Sequence, residues 1–260
     1  MYSKKSLGQN FLIDKNIIEK ILNLVQIKNR NIIEIGPGKG SLTDAIIKKN
    51  PKNLILIEKD FFLAQKLKLK YSKLKKISVF NDDVLKFDIE NILKKNSIIL
   101  GNLPYNISSQ ILVKLIKVKN WPPKYKDIVF MFQKELGEKI IGKFKSKNYG
   151  RLSILTNYRL NACSKFLVSP NCFSPKPKIT SMVIHFSPKE KNKFIIRDLC
   201  NLENITNVFF SNKRKMINKN LKKIIDKKQI KIIPDLKCHL RPSDVRPETY
   251  YKITELYERD

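Results

Sequence analysis

Short apolar runs alternate with amphipathic stretches through the first two thirds of the chain. Residues 32–35, 54–57, 77–80, 98–100 and 128–132 are apolar, β-branched or aromatic runs of strand length. Between them the apolar positions recur at helical spacing. Asp14 is placed to cap a helix whose inner face is Ile17, Ile18, Ile21, Leu22 and Val25. A Gly-rich turn and a helix from about Ser41 follow the first of the five runs, and a helical stretch over 61–74 follows the second. Strands separated by helices predict an α/β fold: a mostly parallel sheet covered on both faces.

The rhythm changes after about Asn157. Residues 166–168 and 179–186 read as strands joined directly by the Pro-rich loop SPNCFSPKPK, which predicts an antiparallel edge. Beyond Ser187 strand patterns fade, and 194–210, 213–225 and 247–258 read as helices. The expected organisation is a sheet domain over residues 1–187 and a small helical domain over 188–260.

Composition narrows the class. At 260 residues and 42% hydrophobic, the chain can bury a sizeable core, which excludes a disordered protein. Cys163, Cys172, Cys200 and Cys238 form no C-x-x-C pair, and only His185 and His239 could assist them, so no metal site is expected. The N-terminus has no long apolar segment and no run approaches a membrane span, so a reduced, cytoplasmic setting is expected. The formal charge is +30, which favours a polyanionic partner. Yet only eight of the 53 basic residues are Arg, a bias that an AT-rich genome would also produce.

The sharpest local pattern is Glu34-Ile-Gly36-Pro-Gly38-Lys-Gly40, which ends a strand and opens a helix. Glycines there let a ligand approach the backbone, although a tight turn without a ligand needs them too. Glu58 follows the second strand, where a carboxylate can accept hydrogen bonds from two ribose hydroxyls. Asn81-Asp82-Asp83-Val84 follows the third, where a carboxylate can hold an adenine amino group or simply cap a turn. Together these three turns outline an adenosine-containing cofactor, either NAD or S-adenosylmethionine.

The fourth strand separates the two. It ends in Gly101-Asn102-Leu103-Pro104-Tyr105, an Asn-x-Pro-Tyr sequence that resembles the motif of enzymes methylating amino nitrogens of nucleic acid bases. The N6 lone pair of adenine is delocalised and poorly nucleophilic. An Asn side-chain oxygen and a backbone carbonyl, here those of Asn102 and Leu103, can accept its two N–H bonds and orient it. Positioning then supplies most of the catalysis. The Tyr105 ring offers a stacking face for an extruded base.

With these residues the chain resembles the ribosomal RNA adenine N6,N6-dimethyltransferase family over essentially its whole length. Gly8-Gln9-Asn10-Phe11-Leu12, EIGPGKGSLT, IEKD, NDDVL, GNLPYNIS, YGRLSI and VSPNCFSPKPKITSMVI occur in the family's order. The resemblance implies a Rossmann-like S-adenosylmethionine-dependent methyltransferase sheet with a small C-terminal helical domain. It implies cofactor binding by Asn10, Leu12, Gly36, Gly38, Glu58, Asp83 and Asn102, and catalysis by Asn102, Leu103, Pro104 and Tyr105, with Phe173 as the second ring against the target base. FFSNKRKMINKNL and LRPSDVRPETYYKI resemble the small-subunit branch, which dimethylates two adjacent adenosines near the 3′ end of 16S rRNA during ribosome biogenesis. Lys213, Arg214 and Lys215 are its expected RNA contacts, in a stretch, 213–231, with nine basic residues and one acid, Asp226. The expected partner is small-subunit rRNA or a pre-ribosomal small subunit, and the expected state a monomer. The alternatives are N6-adenine methylation of large-subunit rRNA, and a non-enzymatic ribosome-assembly factor on the same fold.

Overall fold

The computed structural model describes residues 10–234 and 236–259. In chain order the elements are β1 (Phe11–Leu12), α1 (Lys15–Leu22), β2 (Asn31–Ile35), α2 (Ser41–Lys48), β3 (Asn53–Glu58), α3 (Phe61–Lys70), β4 (Ile77–Asn81), α4 (Ile89–Ile92), β5 (Ser97–Asn102), α5 (Ser108–Ile116), β6 (Tyr125–Gln133), α6 (Lys134–Ile140), α7 (Arg151–Arg159), β7 (Leu160–Val168), β8 (Phe173–Ser174), β9 (Ser181–Pro188), α8 (Leu199–Phe210), α9 (Asn218–Leu221), α10 (Lys227–Lys231) and α11 (Pro247–Tyr257).

Seven strands form one sheet in the order β4-β3-β2-β5-β6-β9-β7. The β4–β3, β3–β2, β2–β5 and β5–β6 pairs are parallel, and β9 runs antiparallel to β6. This is the mostly parallel sheet with an antiparallel edge that the apolar runs predicted. The central strands are apolar on both faces because helices cover both. Ile32, Ile33, Leu54, Leu56, Ile99, Leu100, Ile128 and Phe130 are all buried. Asp14 caps α1 as expected, its Oδ1 accepting from the N–H groups of Asn16 (2.9 Å) and Ile17 (3.0 Å).

Strand order reverses at β2. The chain moves from β2 to β3 and β4 on one side, then returns to β5 and β6 on the other. Loops leaving the carboxyl ends of β2 and β5 therefore diverge, and a crevice opens between them.

A second, two-stranded sheet pairs β1 with β8, with Phe11 opposite Ser174 and Leu12 opposite Phe173. Ile13 N–H extends it by donating to the Cys172 carbonyl (2.9 Å). This pairing was not expected. Each strand has two residues, too short to show alternation, and the partners are far apart in sequence.

The chain forms two compact units, Met1–Gly137 with Ala162–Pro188, and Glu138–Asn161 with Lys189–Asp260. Pro188 ends the sheet unit one residue past the expected boundary at 187. The segment 138–161, however, belongs to the second unit. Three tyrosines explain this. Tyr149 donates to the Val245 carbonyl (2.8 Å), Tyr158 to that of Phe194 (3.0 Å), and Tyr251 to that of Ile154 (3.0 Å). The helix expected over 194–210 begins only at Leu199, because Asp198 caps it through Cys200 N–H (2.8 Å). The helix expected over 213–225 is reduced to the single turn α9. Its apolar positions, Ile217, Leu221 and Ile225, are buried as the pattern implied. The backbone nevertheless breaks, because Ile217 N–H is taken by the Leu240 carbonyl (2.9 Å) and Asp226 starts a new helix by capping Gln229 N–H. Among the described residues no helix is long and apolar enough to cross a membrane.

Candidate active site

The crevice lies within the first unit. Its walls include the turn after β2, the ends of β3 and β5, the loop after β4, and β1. Asn10, Leu12, Gly36, Gly38, Glu58, Asp83, Asn102, Leu103, Pro104 and Tyr105 all line it. Gly8 and Gln9, also part of the N-terminal motif, lie outside the described residues.

The glycine turn is left-handed at Gly36 (φ 68°), Gly38 (φ 58°) and Gly40 (φ 86°). Gly38 is constrained a second time: a Cβ there would stand 2.9 Å from the Phe11 ring. Lys39 Nζ sits over the same ring, 4.6 Å from its centroid. Phe11 thus covers the turn from the strand side, a contact that sequence spacing could not reveal.

Glu58 joins this turn to the end of β3. Its Oε2 accepts from Gly38 N–H (3.0 Å) and its Oε1 from Asp60 N–H (2.8 Å). Each oxygen keeps acceptor capacity for a further donor. Burial pushes the Glu58 carboxyl up, and the N–H groups of Asp60 and Gly38 oppose the shift. Asp83 is held differently. Its Oδ2 accepts from Lys59 Nζ (2.8 Å) and its Oδ1 from Leu85 N–H (3.0 Å), and the Lys59 bond holds it below the usual carboxylate range. Lys114 on α5 anchors the far side of that loop, its ammonium donating to the carbonyls of Leu85 (2.8 Å) and Phe87 (2.6 Å). Lys59 and Lys114 were not singled out in the sequence. The position of Lys59 beside Glu58 was the only available sign, and Lys114 had none.

Glu34 also lines the crevice, and it is only 2% exposed. Burial pushes its carboxyl up to about 8, partly opposed by a 2.7 Å bond from Thr43 Oγ1 and reinforced by Glu58 and Asp44. The folded state therefore binds this proton more tightly than the unfolded chain. Stability should fall as pH rises from the unfolded value of 4.5 to about 8, then level off. Within that window each step up in pH should cost stability through Glu34. Denaturant unfolding of the native protein and Glu34→Gln at pH 6 and pH 8 should show the variant losing much less stability; parallel curves would reject the assignment.

At the end of β5, Gly101 has no room for a side chain. A Cβ would lie 2.7 Å from Leu103 Cδ2 and 3.0 Å from the Ile35 carbonyl. This close approach lets the buried Leu103 fold over Gly101. Asn102 Nδ2 donates to the Asn10 carbonyl (2.9 Å), which fixes the amide and leaves Oδ1 as the acceptor it can offer. Tyr105 lines the crevice, and its hydroxyl meets Ser181 Oγ at 2.7 Å.

Two groups of expected site residues are placed elsewhere. Phe173 does not line the crevice: it is 3% exposed and belongs to the hydrophobic core with Leu12, Val168 and Cys172. The β1–β8 pairing pulls it inward, so the expected second ring against a target base is a core aromatic in this conformation. Phe173→Leu should then lower stability by about 1 kcal/mol, with cofactor affinity unchanged. A fall in kcat at unchanged unfolding midpoint would restore the stacking role. Lys213, Arg214 and Lys215 belong to the second unit, exposed in the turns after α8.

The lining carries the acidic side chains Glu58, Asp82 and Asp83 beside Glu34, which burial keeps protonated at neutral pH, in a chain of net charge +30. Its ammonium groups are engaged: Lys39 with Phe11 and Lys59 with Asp83. A cationic sulfonium with an adenosine part fits this donor set better than the pyrophosphate of a dinucleotide.

Known proteins resemble this chain over most of its length. Residues 2–258 match the family described as ribosomal RNA adenine dimethylase. The ribosomal RNA small subunit methyltransferase A of Pelagibacter ubique (strain HTCC1062) is 44% identical over 98% of this chain and 97% of its own. The protein of that name from Francisella tularensis subsp. novicida (strain U112) is 40% identical over 88% and 87%. Among solved structures, a dimethyladenosine transferase from Plasmodium falciparum superposes with a TM-score of 0.76 at 25% identity, covering 94% of this chain and 95% of its own. The 23S rRNA methyltransferase ErmE shares the fold, with a TM-score of 0.70 at 22% identity over 96% and 100%. A family match over residues 2–258, and relatives alike over most of their length, lead to one conclusion: this chain belongs to the ribosomal RNA adenine dimethylase family.

Proposed function

We propose that this protein uses S-adenosylmethionine to dimethylate the N6 amino groups of two adjacent adenosines near the 3′ end of 16S rRNA, as a step in small-subunit biogenesis. The observation that carries the reading is the convergence of the Gly36–Gly38 turn, Glu58 and Asn102-Leu103-Pro104-Tyr105 on one crevice at the switch point of the sheet. When bound, the cofactor supplies an activated methyl group. The rest is positioning by the chain's own residues.

Glu58 accepts hydrogen bonds from the ribose hydroxyls with the lone pairs that its backbone donors leave. Asp83 accepts the adenine amino group of the cofactor. Asn10, just before β1, and Leu12, on it, line the crevice and would hold the cofactor there. Asn102 Oδ1 and the Leu103 carbonyl would accept the two N–H bonds of the target nitrogen in the first transfer and its single remaining N–H in the second, orienting its lone pair. The Tyr105 ring stacks on the extruded base. Lys213, Arg214 and Lys215, exposed and followed by further lysines from Lys219 onward, supply phosphate contacts without sequence preference.

The test incubates purified protein with methyl-labelled S-adenosylmethionine and undermethylated ribosomal subunits, then maps the modified nucleotides. Label at two adjacent adenosines of the small subunit is expected, and it should weaken steeply with added salt. Equal labelling of large-subunit rRNA would overturn the branch assignment. No transfer to either subunit by a folded protein that binds the cofactor would favour an assembly factor.

A further inference from the structure

We infer that Ser181 is a positioning residue for base capture, acting through the Tyr105 hydroxyl. The inference rests on the reading of Tyr105 as the stacking face. Ser181 is the first residue of β9, fully buried, and paired with Gln133 at the end of β6. The neighbouring Lys134 N–H donates to the Thr180 carbonyl (3.0 Å), so this corner of the sheet is anchored on both strands. Ser181 Oγ lies 2.7 Å from the Tyr105 hydroxyl.

The bond constrains the ring in a specific way. The Tyr105 backbone is already held at the near end. Pro104 has a fixed φ, Ile107 N–H closes the turn onto the Pro104 carbonyl (3.2 Å), and Ser108 Oγ donates to the Tyr105 carbonyl (3.2 Å). The phenol oxygen lies on the Cβ–Cγ axis, so fixing it fixes χ1, the swing of the whole ring. Without the Ser181 bond the ring can swing about χ1 and leave the position at which a base stacks. Burial pushes the Tyr105 phenol up, so it stays a neutral O–H able to donate or accept in this bond. Ser181 falls within the expected strand over 179–186, but no local pattern marks its partner, 76 residues away.

The experiment is a double-mutant cycle of Ser181→Ala and Tyr105→Phe, with Tyr105→Leu alongside. It measures kcat and kcat/KM on small-subunit particles, S-adenosylmethionine affinity, and unfolding midpoints. Each conservative single variant should lower kcat/KM by about three- to tenfold, the range of one net hydrogen bond. The double variant should be no worse than the weaker single, because both remove the same bond. Cofactor affinity should stay within about twofold of the native value in all three. Additive losses in the double variant, or full activity in Ser181→Ala, would overturn the inference. Should Ser181→Ala fail to fold, Tyr105→Phe removes the same bond with Ser181 in place, and full activity there overturns it as well. Tyr105→Leu separates the two levels: native activity in that variant rejects the stacking role itself, whereas a sharp loss there with Tyr105→Phe unaffected rejects only the tether.

Discussion

Asn102→Ala should lower kcat by about 100-fold or more, the scale seen when one preorganised group around a reacting centre is removed. The structure shows why the effect should concentrate in turnover. The Asn102 side chain is locked by its bond to the Asn10 carbonyl, so Oδ1 is aimed before substrate arrives. A water replacing it would have to be ordered in every catalytic cycle. The same bond adds a second, smaller effect. With Nδ2 gone, the Asn10 carbonyl loses its partner and the segment leading into β1 loosens, so cofactor affinity should fall by about two- to tenfold. RNA affinity should hardly change, because phosphate contacts dominate it. Single-turnover kinetics, calorimetry with S-adenosylmethionine and RNA binding at fixed salt read the three quantities separately. A kcat within about twofold of native, or less than ~0.5 kcal/mol of barrier, would remove Asn102 from the reaction.

Glu58→Ala should weaken cofactor binding by about 10- to 150-fold, equivalent to about 1.5–3 kcal/mol of charge-assisted hydrogen bonding. The side chain has two roles in one place. Toward the protein it accepts from Gly38 and Asp60 N–H, holding the glycine turn against the end of β3. Toward the crevice its remaining lone pairs face the ribose hydroxyls in our reading. Alanine removes both, and it leaves two N–H groups without their carboxylate. The unfolding midpoint should therefore drop as well. Glu58→Gln should lie between native and Glu58→Ala in affinity, because one carbonyl oxygen persists. Calorimetry on folded protein is the measurement, and an unchanged affinity in Glu58→Ala would reject the ribose assignment.

The division between local and distant information is visible residue by residue. Strands β2 to β6, the cap at Asp14, the glycine turn and the positions of Glu58, Asp83 and Asn102 could be read because each depends on neighbours within a few residues. Apolar period, backbone φ and the residue at a strand end are all local quantities. In a parallel sheet the strand ends share one side, so reading three of them in order already places the cofactor's chemistry.

Tertiary structure decided what depends on contacts between distant segments. The two-residue strands β1 and β8 have no period to read, yet their pairing brings Asn10 and Leu12 to the crevice and draws Phe173 into the core. The tethers from Lys114 to the loop after β4, and from Ser181 to Tyr105, join segments whose separation in sequence is arbitrary. The allocation of 138–161 to the second unit rests on three tyrosine hydroxyls reaching distant carbonyls. Residue type at a strand end therefore determined which chemistry this protein carries. Its geometry, meaning which groups are held, aimed or buried, was set by hydrogen bonds and packing between segments that only folding brings together.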